Sequence, residues 1–157
     1  MIKYKKIKIE WSYPVEFSAI LKTEAMNDIG IYYISRKFGE KESILYIGKA
    51  TYNFSTRLEC HNVNKVNKYR GKKFVRLGRI VGSKKLSEKD LKELISDAEK
   101  TIIFYLSNYV ENGLIDNIDC RKTACFTNIL KIKNVGYRGQ LPEELFIPEE
   151  AFEIKKK

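Results

Sequence analysis

The chain has 157 residues, 43% hydrophobic and 32% charged, with a formal net charge of +10. That size is expected to form one domain with an adequate core, and no apolar run approaches the roughly 20 residues a membrane span needs. Three cysteines (Cys60, Cys120 and Cys125), none in a Cys-x-x-Cys pair, and a single histidine argue against a disulfide framework and a closed zinc site.

The charge is unevenly placed. Residues 1–85 carry 19 Lys and Arg against 7 Asp and Glu, whereas residues 86–157 carry 11 against 13. Within the first part, Lys65 to Lys85 holds nine basic residues and no acidic one, with Tyr69 and Phe74 among them. Such a run is either a solvated surface or a phosphate-binding track.

In chain order, Met1–Lys8 is basic but has no apolar stretch behind it, so it does not read as a signal peptide. Lys3–Trp11 reads as a strand, with Ile7, Ile9 and Trp11 at period two. Pro14 ends it, and Phe17, Ile20 and Leu21 suggest a short helix or turn within Ser12–Asn27. Next come two β-prone runs, Ile29–Ser35 and Ile44–Gly48, joined by the polar segment Arg36–Glu42 with its Gly39. This pattern predicts a hairpin. Strand alternation sends Tyr32 and Tyr33 to opposite faces, one for the core and one presented on the far side.

Asn53–His61 reads as a short helix on which Arg57 and His61, four residues apart, share a face. Phe74–Val81 is a further candidate strand. The clearest helix runs from Glu88 to Val110, with Ser87 as N-cap, Glu88 and Asp90 in the first turn, and Asn112-Gly113 as its stop. Its stripe is Leu91, Leu94, Ile95, Ala98, Ile102, Tyr105, Leu106 and Tyr109. Glu99 falls on the margin of that stripe, where a carboxylate either pairs with a lysine or binds a metal; periodicity alone favours the ion pair. Leu114–Arg121 reads as a polar loop and Phe126–Ile132 as a last strand. Residues 134–157 read as a C-terminal arm, whose Gly136–Lys157 stretch carries Pro142 and Pro148.

The order of these pieces is more informative than any one of them. Gly30-Ile31-Tyr32-Tyr33-Ile34 and Leu45-Tyr46-Ile47-Gly48-Lys49 are followed by Arg57 and His61, then Glu99, then Asn128 in Thr127-Asn128-Ile129-Leu130. From Gly30 to Asn128 this resembles the GIY-YIG nuclease family. The resemblance implies an α/β (α+β) fold, a small central, mostly antiparallel sheet flanked by helices. It implies one nuclease domain over 1–157, with an N-terminal strand extension over about 1–27 besides the C-terminal arm. Two spacings exceed the family's usual ones, implying a longer hairpin loop and an insertion at Gly113–Ala124.

The activity implied is metal-dependent hydrolysis of DNA. Glu99 would bind one Mg²⁺ or Mn²⁺, and Tyr32 would help activate the attacking water. Tyr46 and His61 would position or relay the proton, and Arg57 would stabilise the transition state's charge. Lys49 would add a phosphate contact, as would Asn128. Lys65, Lys68, Arg70, Lys72 and Lys73 would track the backbone. The alternative is a GIY-YIG-like nucleic-acid-binding or assembly module that does not cleave. The remaining expectations are a cytoplasmic setting without membrane contact, and a homodimer or partner protein supplying specificity.

Overall fold

A computed structural model describes residues 2–20, 28–54, 71–110 and 126–153. Strands β1 (Lys5–Trp11) and β2 (Val15–Glu16) lead into helix α1 (Phe17–Ile20). The hairpin β3 (Gly30–Phe38) and β4 (Lys41–Ala50) follows, then β5 (Lys72–Ile80) and a 3-10 turn at Ser83–Lys85. Helix α2 spans Glu88–Tyr109, and β6 (Leu130–Gly136), β7 (Glu144–Phe146) and α3 (Glu149–Glu153) complete the order. Mixed α and β structure on one sheet agrees with the expected class.

The strand order is β4-β3-β5-β1-β6-β7, with β2 also pairing β5. All pairings are antiparallel except β1 with β6, which run parallel from Lys5↔Leu130 to Trp11↔Gly136. A parallel pair needs a crossover, and the chain between β1 and β6 supplies it with the hairpin and α2.

Two expectations about the hairpin change. The strands extend through Arg36–Phe38 and Lys41–Glu42, leaving Gly39-Glu40 as the turn. The added length is therefore strand rather than loop. Its residues are polar because that end of the sheet is largely exposed. Similarly, the last strand predicted over Phe126–Ile132 begins at Leu130 and runs on to Gly136. The segment read as an arm contributes β7 to the sheet and buries Leu141, Leu145 and Ile147.

Both sheet faces carry cores. On one, Ile9, Trp11, Ile31, Tyr33 and Ile47 meet Leu94, Ala98, Ile102 and Leu106 of α2. Each fully buried aliphatic side chain there, such as Ile102, stabilises by about 1.5–3 kcal/mol. Trp11 is accommodated because its Nε1–H donates to Asn134 Oδ1 at 2.9 Å, while Asn134 Nδ2 donates to the Pro142 carbonyl at 2.9 Å. On the other face Tyr32, Ile34, Leu45, Val75 and Leu77 pack with Phe17, Ile20 and Phe54. Tyr33 and Tyr32 do point to opposite faces, yet both are 0% exposed. The far face is covered at this point, so neither ring is presented to solvent.

Helix α2 starts as its sequence predicts: the Ser87 side chain accepts from the Asp90 N–H at 3.1 Å. The buried arc is broader than the apolar stripe, taking in Asp97 and Thr101, while Tyr109 is exposed. Among the described residues, no helix is long and apolar enough to cross a membrane.

Candidate active site at the β4 edge

Strand β4 ends the sheet order, so its residues can be reached from the side as well as from either face. Along it, Tyr46 and Gly48 share the face of Tyr32, and Lys49 points to the face covered by α2. Register places Tyr32 opposite Gly48 and Ile34 opposite Tyr46. The Tyr32 and Tyr46 rings stack with centroids 6.0 Å apart and planes 18° from parallel.

Close approach explains both motif glycines. A Cβ at Gly48 would lie 2.2 Å from Tyr32 Cζ and Oη, and one at Gly30 would lie 2.1 Å from the Gly78 carbonyl oxygen. Tyr32 thus occupies the volume that a side chain at position 48 would take. Tyr46 differs from its partner in being only half-buried.

On the other side of β4, Lys49 Nζ donates to Ser96 Oγ at 2.6 Å. Ser96 and Glu99 are three residues apart on α2 and so neighbours on the helix surface. Glu99 is half-buried and already engaged by another group. Two residues before it, Asp97 is 1% exposed and anchors the segment before β6. Its Oδ1 accepts from the Thr127 N–H at 3.0 Å, and its Oδ2 from the Asn128 N–H at 2.9 Å and Asn128 Nδ2 at 3.1 Å. Those bonds balance the burial of a carboxylate, which is otherwise costly.

The structure therefore ties Lys49 and Asn128 to neighbouring residues of α2, Ser96 and Asp97, with Glu99 one turn beyond Ser96, and stacks Tyr32 on Tyr46 on the opposite face of the sheet. Asn128 spends its side-chain donor on Asp97. Lys72 and Lys73 lie apart, at the start of β5, where register places them opposite Lys37 and Arg36. Arg57, His61, Lys65, Lys68 and Arg70 lie outside the described residues, as does Gly113–Ala124.

Sequence reasoning missed Asp97. Nothing local marked it, because its partners lie about thirty residues away. It also missed that the basic run is partly neutralised. Arg76 is buried against Glu42 at 2.6 Å, with its guanidinium carbon 5.0 Å from the centre of the Tyr33 ring. Arg79 pairs with Asp28 at 2.6 Å. Burial tends to raise the Glu42 carboxyl, but the Arg76 hydrogen bond and charge prevail and hold it below its ordinary value. Burial pushes the Tyr33 hydroxyl up to about 12, although the Gln140 N–H and Arg76 oppose the shift. Tyr33 accordingly stays protonated near neutrality and serves the core.

Among the described residues, no group of three or more His, Cys, Asp or Glu could hold a metal. Both Asp97 oxygens are taken, which leaves Glu93 and Glu99 as the carboxylates flanking Ser96 on the helix. One carboxylate is compatible with Mg²⁺, which commonly keeps several waters and completes its shell with substrate phosphate.

No family model matches the chain, and no curated protein or solved structure matches it either.

Proposed function

We propose that this protein is a metal-dependent DNA endonuclease whose active site lies along the β4 edge. The observation that carries the reading is the Lys49–Ser96 hydrogen bond, which joins the edge strand to α2 one turn from Glu99, with Tyr46 on the other face of that open edge. It gives spatial meaning to a motif order that resembles the GIY-YIG family.

In this reading Glu99 holds one Mg²⁺ or Mn²⁺ ion, which when bound would supply Lewis acidity toward the scissile phosphate. Lys49, fixed by Ser96, places a positive charge beside that phosphate. Tyr46, the more accessible phenol, faces the attacking water, and Tyr32 behind it fixes the ring by stacking. This revises the expected division of labour, because the Tyr32 ring is fully buried. Arg57 and His61 keep their proposed parts, charge stabilisation and proton relay. Asn128 would set the position of the helix turn through Asp97.

The test is cleavage of supercoiled plasmid at low salt with Mg²⁺, Mn²⁺ or EDTA. Nicking or linearisation with metal and none with EDTA is expected; an intact plasmid throughout argues against hydrolysis. The second reading, a non-cleaving nucleic-acid-binding module, draws support from one observation, the complete burial of Tyr32. Plasmid retention without cutting would favour it.

A further inference from the structure

The sheet face that carries Tyr32 continues past β5 onto β1 and β6. Register carries the parity across: Tyr32 is opposite Leu77, Arg79 opposite Glu10, Lys8 opposite Lys133 and Lys6 opposite Lys131. On β1 and β6 the opposite face holds Ile9, Trp11, Leu130 and Ile132 in the core, whereas Lys6, Lys8 and Lys133 are exposed. Four lysines therefore stand in two cross-strand pairs on an open part of the sheet. Strand geometry spaces such positions about 4.8 Å across and about 6.6 Å along.

Like charges directly opposite each other weaken a sheet. Here the arrangement occurs twice in succession, and its compensation is partial: Glu144 stands opposite Lys133 on β7. Glu144 approaches Lys131 at 4.0 Å, and the Lys131 ammonium also lies 4.7 Å from the Phe146 ring centre and 5.5 Å from that of Tyr4. Glu10 shares the face but sits opposite Arg79, which pairs with Asp28. Among the described residues, Lys6, Lys8 and Lys133 have no carboxylate within ion-pair distance. The four lysines also line a groove of about 580 Å³, whose apolar wall of Ile7, Ile80, Leu86 and Leu94 belongs to the α2 side.

We infer that this lysine array is a docking surface for the phosphate backbone of duplex DNA, separate from the 65–85 run. The inference rests on the nuclease reading for the choice of polyanion. Charge complementarity selects the occupant: a backbone of closely spaced phosphates relieves the repulsion that the fold leaves in place. The array lies on the same face as Tyr32, two and three strand spacings away on β1 and β6 and four to six residues further along the strands, roughly 16–25 Å in all. A duplex crossing β1 and β6 would thus run toward the β4 edge.

The test is DNA binding by the full chain in EDTA, read by fluorescence anisotropy across a salt series. Wild type is compared with the quadruple variant Lys6→Gln, Lys8→Gln, Lys131→Gln and Lys133→Gln, and with the matching quadruple change to Arg. The Gln variant is expected to lose at least tenfold in affinity, with the slope of log affinity against log salt shallower by about 2 to 4. Its melting temperature should hold or rise, because two like-charge pairs are gone. The Arg variant should bind as wild type does. An unchanged slope overturns the inference, as does a wild type that binds no DNA. Loss of binding to anionic lipid vesicles with DNA binding intact would assign the surface to a membrane and equally overturn it. A wild type that binds through the array yet cuts nothing in Mg²⁺ sinks the nuclease reading alone. One that cuts with an unaltered salt slope in the Gln variant sinks this inference alone.

Discussion

Tyr32 lies against Gly48 so closely that a Cβ at position 48 would fall 2.2 Å from the phenol's Cζ and Oη. The glycine is thus the floor on which the ring rests, and the ring in turn supports Tyr46 by stacking. Local backbone, packing and the proposed chemistry meet at this pair.

Gly48→Ala should force the Tyr32 ring from its place and cost about 1–3 kcal/mol through overpacking. A denaturant titration measures the loss. Combining it with Tyr32→Leu should cost less than the two single changes summed, since they share one contact. Strict additivity would mean that the ring and the glycine do not depend on each other.

Asp97→Asn keeps the shape of the side chain but weakens its three accepted hydrogen bonds. Unfolding free energy should fall by about 1–3 kcal/mol. Amide exchange at Thr127 and Asn128 should accelerate, because their N–H groups lose a charged acceptor. Unaltered exchange at both would show that the carboxylate does not hold the segment.

The Glu42–Arg76 pair sets an acid limb. The folded-state value of Glu42 lies below its ordinary 4.5, so its stabilisation is present above 4.5 and lost as pH falls through the lower folded value. Glu42→Gln should flatten that limb. It should also cost about 2–4 kcal/mol at neutral pH, reduced from a fully buried pair because the Glu42 side chain is 29% exposed. Thermal melts between pH 3 and 7, about the range in which carboxylates titrate, are the check.

At the alkaline end Tyr33 acts in the opposite sense. Its folded-state value is raised from 10.0 to about 12, so its contribution is intact below 10 and lost as pH climbs toward 12. Tyr33→Phe should remove this part of the alkaline destabilisation. Melts across that interval, with phenolate absorbance followed in parallel, would show whether it does.

Much of the architecture could be read from residue order. Period-two burial at Ile7, Ile9 and Trp11 marked β1, and Ser87 with the repeat from Leu91 marked α2. The hairpin ends were missed because Arg36–Phe38 and Lys41–Glu42 are largely polar and at most half-buried, so no apolar alternation betrays them. β7 was missed because three residues between prolines carry too little pattern, and only pairing with β6 makes them strand. The proposed site is a sequence order whose contacts could not be read in advance. Nothing local predicts that Lys49 reaches Ser96 or that Asp97 binds Thr127 and Asn128, because those bonds depend on where α2 crosses the sheet. The burial of Tyr32 has the same origin: Phe17, Ile20 and Phe54 cover a face that alternation alone leaves open.

The central claim is that Glu99 serves hydrolysis rather than folding. The most direct measurement compares wild type with Glu99→Gln in Mg²⁺-dependent plasmid cleavage, with each protein's melting temperature recorded. The account predicts that cleavage falls at least a hundredfold while the melting temperature and DNA affinity in EDTA stay close to wild type. Undiminished cleavage by Glu99→Gln would contradict it, as would a variant that loses activity only because it no longer folds.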